Sequence, residues 1–345
     1  MIMRRGTWNR LKSLFYTDKS VLRSYDMNSM EKPRPVEVTK EMPPDWQKVR
    51  KEMLKQIPSK TEGLNIGRIK EFFDSFPGLT TTDYLVFDED DLPKIRGFLE
   101  PRKMLSKDSF GKGEPLHGCF INGIDLSLVE RRRDFETANG ALFTEHILVH
   151  ELAHSSGEHA QYVQTGPHAY YRPRAGFALS RLSRGSFLEE GFAEMMAGQY
   201  IERSMTKEER EKLLEEFGMG ASFSLDATAT VNDLETHYDY PLPMKYIFKN
   251  PQGGDSATIP ARAAFGLELL CKRSDELYPL LLSARHDIES LRDVAKNINS
   301  IKPNLYSILQ KLQYNRNDFM RGLKHIIDEL YGGNLSINER REVEV

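Results

Sequence analysis

The sequence predicts an α+β fold, and three observations carry that prediction. Asn122-Gly123 sits between two apolar arms, Cys119-Phe120-Ile121 and the alternating Ile124, Leu126 and Leu128. Asn-Gly between such arms is the strongest short-range signal for a β-hairpin. Two helical segments follow it, from about Leu142 to Ser155 and from about Phe187 to Glu202. After Pro260 the chain reads as further helices as far as Tyr331, where Gly332-Gly333 ends the last one.

The elements can be justified in chain order. Residues 1–60 hold 14 Lys/Arg and 7 Asp/Glu, against a net charge of −3 for the whole chain. The segment Glu31 to Asp45 carries Pro33, Pro35, Pro43 and Pro44 and reads as a linker. The basic arm before it reads first as a solvated tail, although such an arm can also touch a membrane surface or nucleic acid. A short helix is expected to start near Asn65, ahead of Ile69–Phe73, and Tyr84–Phe87 reads as a short buried strand. Leu148 and Leu152, one turn apart, turn the helix that ends at Ser155 inward. A helix after Thr206 has Glu209 placed for a capping box. Pro251–Asp255 marks a loop, and Pro279 and Pro303 are expected breaks in the helical region. Arg262, Arg273 and Arg285 are scattered and read as solvated, and Met195 and Met196 as core filler.

Composition narrows the function classes. Of 345 residues, 39% are hydrophobic and 10% aromatic, enough to build a core, and the length suits about two domains at roughly 150 residues each. A net charge this close to zero provides no field to steer nucleic acid, so nucleic acid is not indicated as a partner. No apolar run approaches the ~20 residues of a membrane span. Met1 to Tyr25 lacks the continuous apolar stretch of a secretory signal. Cys119 and Cys271 are too few for a disulfide framework or a four-cysteine zinc module. A cytoplasmic setting is the expectation.

The chemistry is carried by His150-Glu151-Leu152-Ala153-His154, an H-E-x-x-H string on a predicted helix. Four residues make about one turn, so both imidazoles project from one face. Two neutral imidazoles at that spacing can bind one zinc ion. Glu151, beside His150, is placed to serve as general base. A catalytic zinc needs a third protein ligand and an open position. Three acids compete for that role in Ser186-Phe187-Leu188-Glu189-Glu190-Gly191-Phe192-Ala193-Glu194. Ser186 and Glu189 are spaced as a capping box, which would fold Glu189 back onto the helix start. Glu190 then reads as the ligand. Glu194, one turn on, reads as the carboxylate that accepts the other ring N–H of a ligand histidine. Gly191 costs ~1 kcal/mol inside a helix relative to alanine, which a close approach of the two motif helices would offset.

The strings HELAH and LEEGFAE resemble the gluzincin branch of the zincin metallopeptidases. The resemblance covers roughly residues 143–157 and 186–202. It implies His150, His154 and Glu190 as zinc ligands, Glu151 as base and Glu194 as the orienting carboxylate. It also implies an edge strand just upstream of the metal helix, near the arm Ile124 to Leu128, that binds extended peptide. HELAHSSG and EEGFAE also resemble the metallopeptidase-like domain of ArdC-type antirestriction proteins, which keeps the metal site but changes the biology. The metzincin pattern wants a third histidine at position 160, where Ala160 stands, with His159 one residue early. His146, on the same stripe, reads as a packed histidine. Gluzincins often stabilise the oxyanion with a Tyr or His from beyond the glutamate helix. That implies Tyr238 or Tyr246, with His237 and Tyr240 nearby. The basic, aromatic insert Gln161 to Arg184 could line a cleft or cover the metal helix.

The expectation is therefore a zincin-like fold in four parts. Residues 1–60 are a basic N-terminal extension and Pro-rich linker, and 61–255 a zincin-like catalytic domain. Residues 256–335 form a helical C-terminal subdomain and 336–345 a tail. The expected function is a zinc-dependent metallopeptidase acting on a peptide or protein substrate. The alternative is a regulatory, antirestriction-type or protein-binding zincin-like module.

Overall fold

A computed structural model of the chain describes residues 38–39, 41–79, 81–102, 104, 118–131, 138–156, 162–166, 169–171, 174–179, 185–210, 258–285 and 289–332. In chain order the elements are β1 (Val38–Thr39), α1 (Pro44–Gln56), α2 (Ile66–Asp74), β2 (Tyr84–Phe87), α3 (Leu92–Leu99), β3 (Gly118–Ile121), β4 (Leu126–Glu130), α4 (Ala138–Ser155), β5 (Tyr162–Gly166), β6 (Ala169–Tyr171), β7 (Arg174–Ala175), β8 (Ala178–Leu179), α5 (Ser186–Ser204), α6 (Thr258–Arg273), α7 (Leu277–Ser283), α8 (Ser290–Ile301), α9 (Leu305–Gln310) and α10 (Arg316–Tyr331). The fold is mixed α and β and mainly helical.

The predicted hairpin forms from β3 and β4, but its turn differs from the expected one. Ile121 pairs with Leu126, so the turn spans the four residues Asn122 to Asp125. Asp125 takes the left-handed conformation at φ 50°, and Ile124, expected in the second arm, is a buried turn residue. Gly123 serves close packing, since a Cβ there would lie 3.2 Å from the Trp46 ring. β4 is the central strand, parallel to β2 and antiparallel to β3. The edge strand nearest the motif helix is thus β3, not the arm Ile124 to Leu128.

Alternation sorts the two faces of this sheet. Leu85, Phe87, Ile121, Leu126 and Leu128 pack with Met53 and Ile57 at α1 and with Ile95 and Leu99 of α3. Val86 and Val129 join the larger helical core on the other face. On that face the buried Ser127 hydroxyl donates to the Glu151 carbonyl at 3.0 Å, tying α4 to the sheet.

Apolar packing among the described residues involves segments on either side of positions 60 and 255. Pro44 starts α1, a position where the missing N–H costs nothing. Met53 and Ile57 are fully buried, so the chain joins the folded domain well before residue 60. β1 also pairs with β5, inside the expected insert. Among the described residues one apolar core includes members on both sides of position 255, from Ile69 to Ile327. α6 lies so close to α5 that a Cβ on Gly191 would stand 2.8 Å from the Ala263 carbonyl oxygen. The close approach served by Gly191 is therefore to α6, not between the two motif helices. Pro260 and Pro279 lie in the first turns of α6 and α7, while Pro303 separates α8 from α9. Arg262 and Arg285 are buried, contrary to the solvated reading, whereas Arg273 is exposed and stacks on Tyr331.

The two motif helices are locked from outside the motif. Asn65 caps α2 by accepting from the Arg68 N–H. Arg68 then pairs with Glu145 of α4 at 2.6 Å, Tyr200 of α5 at 2.9 Å and Glu209 at 2.8 Å. Glu145 also accepts from the Tyr200 hydroxyl. Thr206 and Glu209 form the expected capping box. Cys119 and Cys271 are free thiols. Among the described residues no helix is long and apolar enough to cross a membrane.

Candidate metal centre

Helical spacing puts His146, His150 and His154 on one stripe of α4, facing the acidic stripe of α5. The Nε2 atoms of His150 and His154 stand 3.1 Å apart. Glu190 Oε2 lies 3.4 Å from the first and 3.6 Å from the second. Ligands at about 2.0–2.1 Å on a tetrahedral ion are separated by about 3.3 Å. The three atoms therefore fit one zinc ion.

The opposite ring nitrogens show why the Nε2 lone pairs are the ones presented. His150 Nδ1 lies 2.8 Å from Glu194 Oε2, and His154 Nδ1 lies 2.9 Å from Glu189 Oε1. A carboxylate at Nδ1 takes the N–H and leaves Nε2 as the free donor of electrons. Glu194 reaches His146 as well, at 3.3 Å. Glu189 does not fold back onto the helix start. Gly185 is the N-cap, in a left-handed conformation, so Ser186 is already helical and the capping-box spacing fails. Glu189 is instead buried, and its second oxygen accepts from the Phe177 N–H at 2.6 Å and from Arg285 at 2.7 Å.

The cluster is arranged to hold positive charge. Burial pulls the His154 imidazole down, but Glu190 and Glu189 outweigh it and raise it to about 9. His150 likewise moves well above its usual value under Glu190 and Glu194. Burial pushes the carboxyls up, yet the imidazoles dominate. His154 and His150 hold Glu190 well below the carboxylate range, and His146 and His150 bring Glu194 to about 2. Arg285, then His154, lower Glu189.

Glu151 is 7% exposed and stands outside these pairs. Burial raises its pKa, against the pull of His150 and His154. Its carboxylate fits against β3 because position 118 is glycine, where a Cβ would lie 2.7 Å from Glu151 Oε1.

The structure thus brings together His150, His154, Glu190, Glu151 and Glu194. Tyr238, Tyr246, His237, Tyr240 and His159 lie outside the described residues, as do the side chains of most of the insert Gln161 to Arg184. Two residues at the centre were missed by sequence reasoning. The Ser186 spacing hid Glu189, and no local pattern pointed to Arg285. Compared with known proteins, the chain matches no family model, no curated protein and no solved structure.

Proposed function

We propose that the chain is a zinc-dependent metallopeptidase with a zincin-like fold, in which His150, His154 and Glu190 hold the metal. One observation carries this reading. Two imidazoles, each anchored through Nδ1 on its own carboxylate, converge with Glu190 beside a further carboxylate, Glu151, that takes no part in those pairs. Three protein ligands with one position left open are the hallmark of a catalytic zinc site.

When bound, zinc polarises the scissile carbonyl and lowers the pKa of water toward ~7. The chain's own residues do the rest. Glu151 accepts a proton from the attacking water and returns it to the leaving nitrogen. Glu194 and Glu189 keep the imidazoles in one tautomer and orientation. Gly118 of β3 lies against Glu151, so an extended peptide aligned with that strand would lie across the base.

The purified full chain should carry a single zinc and cleave members of a peptide library. A chelator should abolish that cleavage and added zinc should restore it. A fully zinc-loaded chain that cleaves nothing across the library would favour the regulatory, protein-binding reading.

A further inference from the structure

Arg285, the residue after α7 and its C-cap, is among the largest fully buried side chains of the described residues and only 1% exposed. The proposed chemistry makes no use of it, yet it touches the metal centre from behind. Its Nη1 donates to Glu189 Oε2 at 2.7 Å. Its Nη2 donates to the carbonyls of Ala153 at 2.5 Å and His154 at 2.8 Å, and its Nε to that of Ser156 at 3.4 Å. These carbonyls are at the C-terminal end of α4, where a helix leaves acceptors unpaired and favours a cation. The guanidinium also lies over the Phe192 ring, 4.9 Å from its centroid. Gly176, at φ +52°, completes the enclosure, since a Cβ there would lie 1.8 Å from Arg285 Nη1.

We infer that Arg285 is a positioning residue of the metal centre: it holds Glu189 against His154 and closes the end of the helix that carries both histidines. Burying an ion pair is rarely a net gain in stability over an apolar pair of similar volume, so its location is informative. Here the pair sits directly behind a ligand imidazole. Arg285 and the Phe177 N–H together hold Glu189 Oε2, which leaves Oε1 set against His154 Nδ1. Four acceptors shared among Nε, Nη1 and Nη2 suit the forked guanidinium of arginine and not the single ammonium of lysine. The segment following α7 thereby sets the orientation of a ligand held by α4, although about 130 residues of chain separate them. The inference rests on the metal-centre reading proposed above.

The test uses the full chain as wild type, Arg285→Lys, Glu189→Gln and the double variant. Zinc affinity is read by competition with a chelator, and ligand geometry by the visible absorption of the cobalt(II)-loaded protein. Circular dichroism of the metal-free proteins controls for folding. Each single variant is expected to weaken zinc affinity by about 10–100-fold and shift the cobalt bands. The double variant is expected to lose no more than the weaker single one, because both act through the same contact with His154. Wild-type affinity and spectrum in Arg285→Lys would overturn the inference. Additive losses would also overturn it, by assigning Arg285 to the helix end alone. Should Arg285→Lys fail to fold, Glu189→Gln decides: a shifted spectrum supports the chain of contacts and an unchanged one breaks it. A wild type that takes up neither metal would instead sink the metal-centre reading itself.

Discussion

Glu190→Ala is expected to strip the chain of most of its zinc, with affinity falling on the order of 10²–10³-fold. Zinc held by a protein site contributes about 10–16 kcal/mol. Shared over four coordination positions, one ligand accounts for about 3–4 kcal/mol, or two to three decades of affinity. Among the described residues Glu190 is also the one carboxylate that faces both Nε2 atoms, at 3.4 and 3.6 Å. Glu189 and Glu194 are each committed to an Nδ1 on the far side of a ring. Chelator competition on the folded variant reads the effect. Glu189→Ala and Glu194→Ala should weaken binding too, by the smaller 10–100-fold typical of groups that orient a ligand. Retention of wild-type affinity in Glu190→Ala would place the third ligand elsewhere, with His159 the first alternative.

Periodicity and spacing made part of this arrangement legible. The i, i+4 histidines and the i, i+4 pair Glu190 and Glu194 are local patterns, and a helix converts local spacing into a shared face. Helix starts at Asn65 and Thr206 were readable for the same reason, because a cap is a contact over three residues. The hairpin was readable, but its four-residue turn was not. Burial of Ile124 and the Trp46 ring against Gly123 decided it, and both are tertiary. Glu189 shows how a local rule misleads. Ser186 and Glu189 satisfy the capping-box spacing, yet Gly185 takes the cap and leaves the carboxylate free for His154 and Arg285. Arg285 reaches the centre across a long stretch of chain, and no spacing in the sequence encodes such a contact. The same holds for the packing of α5 on α6 around Gly191, which joins segments far apart in the chain.

The last expected result separates chemistry from assembly. Glu151→Gln should leave fold and zinc content intact while peptide cleavage falls by about 10²–10⁴-fold, the usual worth of a general base. Glutamine is the informative replacement because the space is tight. The Glu151 and Ile147 side chains both lie against Gly118, with the helix backbone pinned to Ser127, so a residue of equal volume preserves the packing. Glu151 takes no part in the pairs that fix the two histidines, so its charge can be removed without releasing either ring. Zinc stoichiometry and single-turnover cleavage, measured on the same preparation, give the two readouts. Loss of zinc in Glu151→Gln would move the residue into the ligand set and leave the base unassigned. Equal cleavage by variant and wild type would mean that another group takes the proton or that the cleavage belongs to a contaminating protease. A large fall in rate at full zinc occupancy is the outcome that only a base at this position produces, because at full occupancy the three ligands, the orienting carboxylates and the β3 edge all remain in place.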